Sequence, residues 1–141
     1  MSITAANWLF VITGRSRGEV DDVLGSDVMK VFALNLPADV WARHGASHPL
    51  GADFTGAQDF IPQNLDEQTV LSYTANVTPS LLTEGVLTGT PDEVLDQAAE
   101  WRDHGMTYPV VLNVSSLQPS LRRGLAATVP FARILRGLRK L

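Results

Sequence analysis

Val86-Leu87-Thr88-Gly89-Thr90-Pro91-Asp92-Glu93-Val94, running on through Ala98, Trp101 and Gly105 to Tyr108-Pro109-Val110-Val111-Leu112-Asn113-Val114, is the stretch on which the fold turns. Val86 to Gly89 is a short apolar strand. Thr90 suits a helix N-cap, and Pro91 suits the first helical position, where its missing N–H costs nothing. Asp92 and Glu93 then put carboxylates at the positive end of the helix dipole. Val94, Leu95, Ala98 and Trp101 recur at helical spacing and predict a buried stripe. Gly105 stands where a helix ends in a left-handed residue, and Tyr108 to Val114 is the next strand. Strand, helix and strand within about thirty residues form a βαβ unit, whose strands lie parallel.

Upstream, Trp8-Leu9-Phe10-Val11-Ile12 is a continuous apolar run of strand length, as a strand buried on both faces requires. Ser16-Arg17-Gly18-Glu19 fits a capping box. Val20, Val23, Leu24, Val28 and Val31 follow at helical spacing, predicting one helix that Pro37 stops. Ser115, Ser116 and Pro119 lead into a last helix. Between these units lies an irregular insertion, Leu36 to Asn64, with Pro37, Gly45, Pro49, Gly51, Gly56 and Pro62. Asn64-Leu65-Asp66-Glu67 then opens a further helix with Val70 and Leu71 inside. The expectation is an α/β chain of about three β/α units, one domain over residues 1–141. Three parallel strands leave an edge open. A complete eightfold β/α barrel takes roughly 250 residues, so this chain would supply only its last units.

The 141 residues contain no cysteine, which excludes disulfide frameworks, thiolate metal sites and Cys nucleophiles. The longest apolar run, Trp8 to Ile12, is far short of a membrane span. The opening residues lack the basic and long apolar segments of a signal peptide, and a cytoplasmic location is expected. The net charge of −4 hides an asymmetry: all 15 acidic residues lie at or before Asp103, while residues 104–141 carry six basic residues and no acid. Arg122, Arg123, Arg133, Arg136, Arg139 and Lys140 alternate with Leu121, Leu125, Val129, Ile134, Leu135 and Leu138 in an amphipathic helical pattern. A basic tail can meet nucleic acid or an anionic membrane. No aromatic residue interleaves the arginines as a base-stacking surface needs, so the stretch is read as a structural helix and nucleic acid is not an expected partner.

Leu87-Thr88-Gly89-Thr90-Pro91-Asp92-Glu93-Val94, with Ala98, Gly105 and Val110-Val111-Leu112, resembles the closing units of the luciferase-like monooxygenase superfamily. Trp8 to Ile12 followed by Gly14-Arg15-Ser16-Arg17-Gly18-Glu19-Val20 is similar to the barrel strand and helix before them. Trp41-Ala42-Arg43-His44-Gly45 with His48-Pro49-Leu50-Gly51 looks like the mycobacterial phthiodiolone dimycocerosate ketoreductase branch. The resemblance covers roughly Trp8 to Leu141. It implies the C-terminal portion of a (β/α)8 TIM-type barrel. It also implies an oxidoreductase that transfers hydride from reduced coenzyme F420 to a ketone of a lipid substrate. FMN is the alternative cofactor, in a flavin-dependent monooxygenase. A non-catalytic truncated or companion subunit is a third possibility. Most cofactor-binding residues of the family fall in an N-terminal half without counterpart here. Tight cofactor binding by this chain alone is therefore not expected, and self-association or a complementing barrel half is.

The site candidates follow from the strand ends and the insertion. In a β/α barrel the reaction site lies at the carboxyl ends of the strands. That rule selects Thr13, Gly14 and Arg15, then Thr88 and Gly89, then Asn113 to Ser116. Asn113 is the substrate-facing candidate, because a polar residue among Val, Leu and Val needs a partner if buried or a ligand if it faces the mouth. His44 is the candidate proton donor to a ketone, with a pKa suited to neutral pH; a plain loop histidine is the alternative. His44 and His48 have the four-residue spacing of helical metal ligands, but Gly45, Ser47 and Pro49 argue against one helix, and no metal is expected. Trp41, His48, Phe54 and Phe60 complete an insertion read as a substrate lid, in which Trp41 and Phe54 either make an apolar mouth or anchor the loop. His104, before Gly105, is read as a helix C-cap.

Overall fold

The computed structural model describes residues 7–59, 61, 63 and 65–141. Phe60, Pro62 and Asn64 of the predicted lid and helix start lie outside the described residues. Two compact units emerge, one from Met1–Val23 and Val86–Leu141, the other from Leu24–Gly85.

The first unit carries the sheet. Strands β1 (Asn7–Thr13), β2 (Val86–Gly89) and β3 (Pro109–Asn113) are all parallel. Their order is β2-β1-β3. Consecutive strands of a barrel would put the second strand in the middle. Here β1 holds the centre, and a physical reason is at hand. It is the longest of the three and carries the unbroken apolar run, so it can bury both faces while pairing along both edges.

Paired residues of a parallel ladder share a face. Val11 pairs with Leu87 on one side and Asn113 on the other, so Leu9, Val11, Thr13, Leu87, Val111 and Asn113 point one way. Helices α6 (Pro91–Asp103) and α8 (Thr128–Leu138) cover that face, and Leu9, Val11, Leu87, Val94 and Ile134 form its core. The opposite face bears Ile12 and Thr88, which are buried, and Trp8 and Leu112, which are exposed.

The capping signals are borne out at atomic level. The Glu93 carboxylate accepts from the Thr90 N–H at 2.8 Å and from its hydroxyl at 3.1 Å. Gly105 takes φ +100°, and His104 Nδ1–H donates to the Glu100 carbonyl at 2.7 Å, closing α6. At α1 (Arg17–Leu24) the Ser16 hydroxyl accepts from the Glu19 N–H at 3.3 Å, but the Glu19 carboxylate reaches the Arg15 N–H at 2.8 Å, one residue beyond the cap. Trp101 departs from the predicted buried stripe and is 44% exposed, in an open depression beside Asn7, His104 and Met106.

The Leu24–Gly85 unit corrects two expectations. The single helix from Val20 to Val31 is broken at Gly25, and Ser26 caps a new short helix, α2 (Asp27–Lys30), its side chain accepting from the Met29 N–H. A 3-10 turn, Val31–Asn35, follows. Glycine and a side chain that competes for backbone N–H groups outweigh the apolar spacing here. The insertion is not structureless either. Helix α3 (Ala38–Arg43) lies inside it, and Trp41 on that helix is fully buried beside buried Val40, His48 and Phe54. Helices α4 (Glu67–Tyr73), capped by Asp66, and α5 (Pro79–Thr83), capped by Thr78, complete the unit.

Candidate functional site

The connection from β1 leads to β2 on one side, and β3 lies on the other. Such a reversal opens a crevice beyond the carboxyl ends of the strands, the usual ligand position in open parallel sheets. A cavity of about 490 Å³ lies there. Thr13, Gly14 and Arg15 line it from the end of β1, Gln118 and Ser120 from the segment after β3, and Arg122 and Arg123 from α7 (Leu121–Ala126).

Local chemistry explains how these groups are held. The Thr13 N–H donates to the Ser115 hydroxyl at 2.8 Å, tying the end of β1 to the exit of β3, and Gln118 Nε2 donates to the Ser115 carbonyl at 2.7 Å. Gly14 is required by proximity, because a Cβ there would stand 2.8 Å from the Glu19 Cβ. Arg15 is held by Glu19, Nη2 to Oε1 at 2.8 Å. That hydrogen bond, seconded by the Arg15 N–H, pushes the Glu19 carboxyl below its usual range, so it is ionised at neutral pH. Among the described residues Arg122 makes no ion pair, and Arg123 lies near enough to Glu19 to help keep its carboxyl ionised. Glu19 and Asp22 line the crevice as well, so three arginines face two carboxylates, and the arginine and Gln118 N–H groups make it rich in donors.

Each strand end also carries a buried polar atom without a partner: Thr13 Oγ1, Thr88 Oγ1 and Asn113 Oδ1. Thr13 and Asn113 share a sheet face and Thr88 points to the other. The Asn113 amide nitrogen makes only a long 3.5 Å hydrogen bond to the Ala127 carbonyl. Buried polar atoms are normally satisfied, and three orphans at three strand ends mark this end of the sheet.

Trp41, His44 and His48 lie in the other unit. Trp41 Nε1–H donates to the Ala33 carbonyl at 3.0 Å. His48 is buried, stacked on Phe54 with ring centres 4.2 Å apart and edge-on to Trp41 at 4.9 Å. Its Nε2–H donates to the Leu34 carbonyl at 3.3 Å and its Nδ1 accepts from the Leu50 N–H at 3.1 Å, so both ring nitrogens are engaged. Burial lowers the His48 pKa, and the ring is neutral. His44 closes α3 and points elsewhere, its Nε2 3.0 Å from Glu84 Oε1. The structure therefore brings Trp41 and His48 together and leaves His44 apart from them. Among the described residues no group of three His, Asp or Glu side chains could hold a metal ion.

Sequence reasoning chose the strand ends and missed Arg122, Arg123 and Gln118, because it read the arginines as one face of an amphipathic helix and not as crevice walls. The available signal was Ser120, which accepts from the Arg123 N–H and caps the start of α7 at the crevice.

The chain is similar along its whole length to a set of mycobacterial ketoreductases. It is 57% identical over 141 residues to the phthiodiolone/phenolphthiodiolone dimycocerosates ketoreductase of Mycobacterium kansasii. It is 56% identical to that of Mycobacterium tuberculosis and 49% identical to that of Mycobacterium sp. strain JLS. In each case all of this chain is matched, and it spans 37–38% of the relative's length. No family model and no solved structure matches the chain.

Proposed function

We propose that the chain is the C-terminal portion of an oxidoreductase that reduces a ketone of a lipid substrate, with reduced coenzyme F420 as hydride source. The observation that carries this reading is the 56–57% identity over every residue of the chain to proteins named as dimycocerosates ketoreductases. The luciferase-like class and the barrel are part of the same proposal, as is a cytoplasmic location. The crevice offers donors to the anionic end of such a cofactor: Arg122, which makes no ion pair among the described residues, Arg123, and the orphan Thr13 Oγ1 beside them. It does not fit the ring, since no aromatic side chain lines it. When bound, the deazaflavin supplies the hydride. Within the strand unit Arg122 and Arg123 would hold its phosphate and Asn113 would offer its orphan Oδ1 to a hydroxyl of the substrate. His44, paired with Glu84 in the other unit, is the proposed proton donor. Trp41 and His48 shape the loop that carries His44.

A second reading is favoured by the chain's span of 37–38% of its relatives together with the exposed Trp8, Tyr108 and Leu112 on the strands and beside them. In it the chain is a companion subunit that acts only with a complementing barrel half or after self-association. Coexpression with the N-terminal remainder of the Mycobacterium kansasii relative tests both. Oxidation of reduced F420 on adding a long-chain ketone is expected from the pair and not from this chain alone. Turnover with reduced FMN and oxygen instead would favour the monooxygenase. An assembled pair that turns over neither cofactor would favour the companion subunit.

A further inference from the structure

The last two helices carry an apolar surface that the core does not use. Helices α7 and α8 run on through Ala127, which keeps helical φ −68° and ψ −13°. Gly124, Ala127, Pro130 and Ile134 face inward and are buried. Leu121, Leu125 and Val129 recur every four residues on the opposite side and are 77%, 64% and 67% exposed. The amphipathic pattern read from the sequence merged two stripes: Ile134 and Leu138 belong to the core, and Leu121, Leu125 and Val129 do not.

Charge says what covers this outer stripe. Helical spacing continues it into Arg136 and Lys140, with Arg139 at its flank, all exposed. None of these three has a carboxylate partner among the described residues, and residues 104–141 contain no acid at all. Leucine and valine facing solvent over about two and a half turns, followed on the same side by unpaired cations, is the pattern of a helix that lies in a membrane interface. No helix among the described residues is long and apolar enough to cross a membrane. We propose that the outer face of α7 and α8 docks on an anionic lipid bilayer, with Leu121, Leu125 and Val129 in the headgroup–acyl boundary and Arg136, Arg139 and Lys140 on the anionic headgroups. The proposal is independent of the redox reading, since it uses only this face.

Flotation of the 141-residue chain with vesicles of equimolar phosphatidylglycerol and phosphatidylcholine tests it, against vesicles of phosphatidylcholine alone. Binding to the anionic vesicles is expected. It should fall by about tenfold or more in Leu121→Ser/Leu125→Ser/Val129→Ser and, separately, in Arg136→Gln/Arg139→Gln/Lys140→Gln. All six side chains are exposed, so circular dichroism of both variants should match the parent. The proposal is overturned if the parent chain fails to float, if it floats equally with both vesicle types, or if either variant floats as well as the parent. A dimer seen by light scattering that the triple serine variant abolishes, without flotation of the parent, would assign the face to a second copy of the chain instead.

Discussion

The two compact units differ in the buried polar side-chain atoms that they leave unpaired. In the Leu24–Gly85 unit, Trp41 Nε1, both nitrogens of His48 and the Thr74 hydroxyl all have partners, the last donating to the Leu71 carbonyl at 2.7 Å. In the strand unit, Thr13 Oγ1, Thr88 Oγ1 and Asn113 Oδ1 have none. A buried hydrogen-bonding atom left unpaired costs roughly 1–3 kcal/mol. The first pattern is that of polar groups serving the fold. The second is that of polar groups placed at a site, where a ligand or another polypeptide segment would satisfy them.

The comparison breaks most visibly at Trp41. It is fully buried and hydrogen-bonded, so Trp41→Ala should cost about 3–5 kcal/mol, read as a loss of urea midpoint in the Leu24–Gly85 unit. A small change would mean that this unit is not held by its aromatic cluster. Gly14→Ala should cost about 1–3 kcal/mol in thermal unfolding of the strand unit, because the new Cβ meets the Glu19 Cβ rather than a flexible chain end.

The same isosteric change should then have opposite signs in the two units. Thr74→Val removes a made hydrogen bond and should destabilise by about 1 kcal/mol. Thr13→Val and Thr88→Val remove orphan hydroxyls and should be neutral or stabilising by about 1 kcal/mol. Equal losses at all three positions would show that the strand-end hydroxyls do have partners, and would remove the contrast.

The smallest effect is a pH slope. His48 has a folded pKa below its ordinary value of 6.5, so the unfolded chain binds the proton more readily. Stability is therefore full above pH 6.5 and declines as pH falls from there towards the lowered folded value. Chemical denaturation between neutral pH and the carboxylate range should show this slope, and His48→Gln should flatten it. A slope unchanged in His48→Gln would place the titrating group elsewhere.

Some elements were legible from neighbours in the chain. Thr90, Pro91 and Glu93 announced α6, and Gly105 its end. The apolar run at Trp8 to Ile12 announced the central strand, and its polar exits pointed to the strand ends. The break of the first helix was not legible from apolar spacing, since Val28 and Val31 kept the period while Gly25 and Ser26 ended it. Arg122 and Arg123 were visible as charges but not as crevice walls, because the cap at Ser120 that turns them over β1 and β3 looks like any loop serine.

By itself, then, the sequence determined what depends on contacts within a few residues: the three strands, the cap and the end of α6, and the basic, acid-free C-terminal stretch. Tertiary structure decided the order β2-β1-β3, the orphaned strand-end atoms and which side of α7 and α8 faces out. The physical reason is range. A cap closes a hydrogen bond between residues three apart, whereas the tie from Thr13 to Ser115 spans 102 residues, and the choice of central strand depends on every element that competes to bury it.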